Sequence, residues 1–202
     1  MTRLAVLVSG RGSNLEAILA ACARGEVDGA VVYVAANRQC RAVDVARDAD
    51  VEVVRVFPQA EYGDRAARDR AMADALRAAR VDLVVTAGYD RVLDEAFVGA
   101  FPGRILNVHP SLLPEFGGTM DAIGRAFEAG VKETGVTVHF IEPNTVDAGT
   151  IAARATVPVL PGDTLEDLET RVHEAEHRLL PQTIQAWIEG RVKSPAAAGV
   201  TG

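Results

Sequence analysis

The stretch Leu4-Ala5-Val6-Leu7-Val8-Ser9-Gly10-Arg11-Gly12-Ser13-Asn14 passes from a wholly apolar run through two glycines into a helical segment. A strand that is apolar at every position is buried on both faces, the habit of a parallel sheet covered by helices. The same alternation spreads outward from it. Apolar runs at 30–35, 51–56, 83–87 and 105–108 read as further strands, and 15–22, 42–48, 65–79 and 94–101 carry helical composition between them. Beyond these, a helix is expected at 121–129 and strands at 135–140 and 150–157. The expected fold is α/β: a Rossmann-like, mostly parallel sheet with helices on both faces. A last, long helix follows the turn Pro161-Gly162-Asp163-Thr164, with Thr164 and Asp167 as its cap. Leu165, Leu168, Val172, Ala175 and Leu179 form its buried stripe, and Pro181 is expected to kink or end it.

The length of 202 residues suits one domain over 1–190, with 191–202 as a flexible, alanine- and glycine-rich tail. Apolar residues make up 49% of the chain, enough for a core, yet no run approaches the roughly 20 residues of a membrane span. A net charge of −7 argues against nucleic acid, whose phosphates demand basic surface. An anionic ligand would therefore depend on local donors. Cys22 and Cys40 lack the spacing of a zinc ribbon or disulfide framework, and the first strand follows directly on Met1-Thr2-Arg3 without a leader. A cytoplasmic protein, monomer or homodimer, with no membrane partner, is expected.

Three segments carry chemistry. In the glycine loop 9–14, Gly10 and Gly12 permit close approach of the backbone, while the following helix N-terminus favours an anion. Ser13 and Asn14 add side-chain donors or a cap. The dinucleotide fingerprint fails because Leu15 stands where a third glycine belongs, and no Gly-Lys-Ser/Thr follows as in a P-loop. The second segment is Asn107-Val108-His109-Pro110-Ser111-Leu112-Leu113-Pro114. Asn107 and His109 are two apart on an extended backbone, so both project from one face. An amide donor beside an imidazole suits a carbonyl oxygen that gains charge while a proton moves. The third, His173-Glu174-Ala175-Glu176-His177, matches the zinc-peptidase pattern HExxH, but Leu180 and Thr183 break its longer form. It reads as an exposed helix face, with His173 and Glu176 flanking the buried stripe near the strand ends. His139 reads as a hydrogen-bonded strand residue in or near the core, and Asp147 before Ala148-Gly149 as possible turn chemistry.

Together these segments resemble the folate-dependent glycinamide ribonucleotide formyltransferases of purine synthesis. The resemblance runs from residue 4 to about 190 through SGRGSN, TAGYDRVL, ILNVHPSLLP, ETGVTVHF, VDAG, VPVLPGDT and EAEHRLLP, in family order. The Asn-x-His-Pro-Ser-Leu-Leu-Pro motif is similar to one shared with methionyl-tRNA formyltransferases and formyltetrahydrofolate hydrolases. Against the tRNA enzymes, the chain leaves no room for an extra C-terminal domain and is acidic. Against the hydrolases, it begins at its first strand. A different formyltransferase or hydrolase using 10-formyltetrahydrofolate is the alternative, and a non-catalytic phosphate-binding α/β module a distant one.

The resemblance implies a formyltransferase-type fold with a phosphate-binding half at about 1–100 and a folate and catalytic half at about 101–190. It implies Asn107, His109 and Asp147 as the catalytic trio, with Asp147 keeping His109 charged. Gly12, Ser13 and Asn14 would hold the phosphate of glycinamide ribonucleotide, and Glu176 and His173 would reach its ribose or phosphate. The formyl donor would be 10-formyltetrahydrofolate, with no metal required. Its site would comprise Tyr89, Asp90, Arg91, Val92 and Leu93 as a wall, with Asn107, the loop Pro143, Asn144, Thr145, Val146 and Asp147, and Arg65 near the glutamate tail. The chain departs from the family pattern in 117–124, which lacks a frequent histidine. The loop 142–146 is also a residue longer, and Thr150 replaces a frequent proline.

Overall fold

The computed structural model describes residues 1–195. The expected tail therefore falls in part, at 196–202, outside the described residues. Seven strands form one sheet in the order β3-β2-β1-β4-β5-β6-β7. Strands β1 (Thr2–Val8), β2 (Gly29–Ala36), β3 (Val53–Val56), β4 (Leu83–Thr86) and β5 (Ile105–His109) are mutually parallel. Then the direction reverses: β6 (Glu133–Phe140) runs antiparallel to β5, and β7 (Ile151–Pro158) antiparallel to β6. Edge strand β3 is shorter than the apolar run suggests, because the Val51 N–H turns back to the Ala46 carbonyl of the preceding helix.

Side chains along β1 sort strictly by parity, as a pleated strand requires. Leu4, Val6 and Val8 enter one core with α1 (Ser13–Ala23), α2 (Arg41–Asp48), α5 (Ala122–Glu128) and α6 (Leu165–Ile188). Ala5 and Leu7 enter the other, against α3 (Arg65–Ala78) and α4 (Glu95–Ala100), where Met72, Leu76, Phe97 and Phe101 pack. At the start of α3 lies a wholly buried ion pair. Arg68 Nε donates to Asp69 Oδ1 at 2.8 Å, and Asp69 Oδ2 accepts the Asp94 N–H at 2.8 Å where α4 begins. Burial raises the Asp69 carboxyl above its ordinary value despite these bonds.

Helix α6 corrects two expectations. Its capping box is the one read from Thr164 and Asp167. Pro181, however, neither ends nor interrupts the helix, which continues to Ile188. The ring deletes one i→i−4 bond, but Leu180, Pro181 and Ile184 are all buried, so packing of the turn offsets that loss. The buried stripe also differs: Leu165 at the first turn is exposed and Leu179 only half-buried, while Leu180 and Ile184 take the core positions. No helix among the described residues is long and apolar enough to cross a membrane.

Candidate active site

The parallel strands end along one edge of the sheet, where ligands of open α/β sheets characteristically bind. Asn107 stands in register with Thr86 on one side and His139 on the other. Thr86 Oγ1 donates to Asn107 Oδ1 at 2.6 Å, which fixes the orientation of the amide. Its Nδ2 therefore points the other way, 3.0 Å from His139 Nε2 and 3.5 Å from Asp147 Oδ1. His139 Nδ1 faces the Phe140 carbonyl at 3.0 Å. Donation there leaves Nε2 as the acceptor for the Asn107 amide, so the whole chain of bonds is consistent with one tautomer.

His109 is 5% exposed and faces acceptors on both sides. Its Nε2 lies 3.0 Å from the Phe116 carbonyl and its Nδ1 3.5 Å from Asp147 Oδ2. A ring carrying hydrogen on both nitrogens satisfies both acceptors. Burial pushes the Asp147 carboxyl up, but the neighbouring His139 and His109 rings and the Gly118 N–H at 2.8 Å outweigh it. The carboxyl is held below the usual carboxylate range. Phe116 and Asp147, which hold the two nitrogens of His109, both adopt positive φ, 54° and 48°. Such backbone costs about 1–3 kcal/mol for residues other than glycine and collects at functional sites.

The structure thus brings Asn107, His109 and Asp147 together as read from the sequence, and adds His139 and Thr86. His139 is buried, as expected, but its Nε2 also lies 3.6 Å from Asp147 Oδ1, inside the polar cluster. Strand pairing alone reveals this, since His139 lies directly opposite Asn107.

Thr86, Asn107, His139 and Asp147 form one wall of a cavity of about 520 Å³, and His109 is held against Asp147. That volume is within the usual range for small-molecule sites. All twelve residues expected to meet folate line it: Arg65, Tyr89, Asp90, Arg91, Val92, Leu93, Asn107, Pro143, Asn144, Thr145, Val146 and Asp147. The segment 117–124 contributes Gly118, Thr119 and Met120. Val92, Met120 and Val146 line the cavity while remaining more than half exposed, an apolar rim of the kind that marks a binding site. Burial pushes the Tyr89 hydroxyl up to about 12.

Two strands away, the glycine loop is built as a tight cradle. Gly12 has φ +86°, and a Cβ there would lie 2.8 Å from Ala42 Cα. Substitution is therefore disfavoured by both conformation and space. The loop is braced from α2: the Ala42 N–H donates to the Gly10 carbonyl at 3.1 Å, and Arg41 bridges the Arg11 carbonyl and Glu16. Helix α1 has no side-chain N-cap, which suits its leading amides to an anion. Behind the loop, Asn14 faces the Glu176 carboxyl, which burial pushes up to about 7 against the lowering effect of that amide. Burial lowers His173, aided by the charge of Arg11, and also lowers His177.

The face holding HExxH is consequently not uniformly exposed. Glu174 faces solvent, but Glu176 is 5% exposed and packed towards Asn14. Leu168, Val172 and Ala175 turn that side of α6 into the core, which carries Glu176 inward with them. Among the described residues, no three His, Cys, Asp or Glu side chains are grouped to hold a metal.

Residues 2–184 match the family model for formyl transferase. The chain belongs to the formyl transferase family. It is similar to the phosphoribosylglycinamide formyltransferase of Mycobacterium tuberculosis (strain H37Rv), at 45% identity over 91% of this chain and 84% of that protein. The enzyme of the same name from Haemophilus influenzae is 38% identical over 96% of this chain and 90% of its own length. Among solved structures, glycinamide ribonucleotide transformylase 1 from Symbiobacterium toebii superposes with a TM-score of 0.92 at 45% identity. That match covers 98% of this chain and 92% of the other. This formyl transferase therefore shares both sequence and architecture with those enzymes along nearly its whole length.

Proposed function

We propose that this formyl transferase moves the formyl group of 10-formyltetrahydrofolate to the amine of glycinamide ribonucleotide, giving formylglycinamide ribonucleotide and tetrahydrofolate. The observation that carries the reading is the placement of the Asn107-His109-Asp147 cluster. Asn107 and Asp147 line the cavity of about 520 Å³ with His109 held against Asp147, and β4 alone separates β5 from β1 and its glycine loop.

The folate supplies the formyl group as co-substrate. The acceptor amine forms a bond to the formyl carbon, the bond to N10 breaks, and one proton passes from the amine to N10. Asn107, held by Thr86, offers an N–H that cannot titrate, and His109 Nδ1, only loosely engaged by Asp147 at 3.5 Å, offers a second donor. Donors preorganised where an oxyanion develops contribute about 10²–10³ each in rate. Asp147 orients His109 and favours hydrogen on Nδ1. A water held by its carboxylate would complete the proton transfer. Tyr89–Leu93 and 143–147 enclose the pterin, Arg65 meets the glutamate tail, and Gly12, Ser13 and Asn14 hold the phosphate. Glu176 and His173 reach the ribose or phosphate. Cytoplasmic action is supported by the two unpaired cysteines.

The test mixes purified protein with 10-formyltetrahydrofolate and glycinamide ribonucleotide and follows tetrahydrofolate release. Release that requires the ribonucleotide is the expected result. Release without it would indicate a hydrolase instead, and no release would reject the reaction.

A further inference from the structure

We propose that Asp90 is a positioning residue that staples the two substrate subsites to each other, and that through it binding at one subsite strengthens binding at the other. The inference rests on the reading of 10–14 as the phosphate loop and of the cavity as the folate site. An acid within the wall Tyr89-Asp90-Arg91-Val92-Leu93 reads from the sequence as a ligand contact. The structure gives it different partners.

Asp90 Oδ1 accepts from Asn37 Nδ2 at 2.8 Å, and Oδ2 from Arg38 Nη1 at 2.5 Å. Its own N–H donates to Ser9 Oγ at 3.0 Å. Asn37 and Arg38 directly follow β2, Ser9 directly follows β1, and Asp90 follows β4, so one residue ties together three adjacent strand ends. Ser9 is also the residue immediately before Gly10, so the bond that anchors the folate wall anchors the entry to the phosphate loop.

Surface ion pairs contribute little, but this network is not one. Ser9 and Asn37 are 2% and 7% exposed, which makes two of the three bonds part-buried, and only the third, from the half-exposed Arg38, lies at the surface. Burial raises the Asp90 carboxyl, yet the bonds from Arg38 and Asn37, with the Ser9 hydroxyl beside them, bring it below the usual carboxylate range. With both oxygens held by protein donors and its N–H bonded to Ser9, Asp90 joins the folate wall to the ends of β1 and β2. Arg91 Nε, at 3.6 Å, adds a further cation beside it. Order imposed on the phosphate loop passes through Ser9 to the wall, leaving less freedom to be lost when the second ligand binds. Coupling of this kind is reciprocal.

The experiment measures tetrahydrofolate binding to the full chain by calorimetry, with and without saturating glycinamide ribonucleotide. This pair of ligands cannot react. Wild-type protein is expected to bind tetrahydrofolate at least about fivefold more tightly in the presence of the ribonucleotide, the lower end of typical couplings. Asp90→Ala should bring that ratio close to one, with Asp90→Asn intermediate. Arg38 does not line the cavity, so Arg38→Ala should reduce the ratio in the same direction without removing a ligand contact. If Asp90→Ala does not fold, Asp90→Asn and Arg38→Ala decide the matter. A ratio preserved in the folded variants overturns the inference. So does a loss of tetrahydrofolate affinity that is equal with and without ribonucleotide, which would make Asp90 an ordinary folate contact. Wild-type protein that binds both ligands independently also overturns it. Failure of wild-type protein to bind either ligand would instead remove the functional reading beneath it.

Discussion

Replacement of Glu176 by glutamine tests the buried carboxyl behind the glycine loop. Its proton affinity in the fold corresponds to a pKa of about 7 against an ordinary 4.5. Each tenfold change in proton affinity is worth ~1.4 kcal/mol, so ionising Glu176 in place costs the fold about 3 kcal/mol. A carboxyl with a raised folded pKa contributes stability that is complete below 4.5 and lost as pH rises through about 7. Glutamine keeps the shape, presents both a donor and an acceptor to Asn14, and has no proton to lose. The variant's stability relative to wild type should therefore climb by about 3 kcal/mol between pH 4.5 and 8, then level off. Urea unfolding followed through the single tryptophan, Trp187, at several pH values measures this difference directly. The flanking histidines titrate in both proteins, so their own contributions largely cancel. A difference that stays flat across this range would refute the burial argument. In the same window the ionised carboxylate opposes a phosphate dianion, so the wild-type KM for glycinamide ribonucleotide should rise above pH 7 while the variant's does not.

Asp147→Asn should lower kcat by about 10²-fold while leaving the ribonucleotide KM nearly unchanged, read by steady-state kinetics. Because its carboxyl is held below the ordinary 3.8, its stabilising contribution is present above that value and lost as pH falls through the folded pKa. The Asp147→Asn penalty on kcat should therefore be constant from pH 6 to 8. Thr86→Val removes the 2.6 Å bond that orients Asn107, and should cut kcat by about tenfold in a protein that remains folded by circular dichroism. Asp69→Ala leaves Arg68 buried without its partner and should cost about 3–5 kcal/mol in denaturant unfolding.

The strands and most helices were legible because apolar runs of strand length alternate with helical ones from residue 4 onward. The sense of β6 was not. An apolar run such as Val136-Thr137-Val138 fits a parallel or an antiparallel neighbour equally well, and only the path of the intervening chain chooses. His139 escaped for the same reason, since its meeting with Asn107 depends on pairing register rather than on spacing along the chain. Thr86 was hidden at the end of an apolar strand, where a threonine is unremarkable. Arg68 could not be recognised as buried, because an arginine early in a helix normally faces solvent, and here Asp69 allows it inside. Pro181 does not end the helix, because packing of Leu180 and Ile184 prevails over local propensity. The motifs were more readable: Asn107, His109 and Asp147 do meet, and every residue expected at the folate site lines the same cavity.

The reversal of strand direction after β5 has a consequence for how such an enzyme changes over time. Asn107 and His139 are aligned by the ladder between two strands, and Thr86 by the ladder on the opposite side. Three of the polar groups thus take their alignment from backbone pairing, while connections such as 142–146 and 117–124 hang from the edges of that ruler. Residues can be inserted into those connections, or exchanged there, without moving the aligned trio out of step. The ladders hold those three groups in place, whereas Asp147 and the Gly118 N–H that binds it belong to the connections, so variation there reaches the reaction through Asp147.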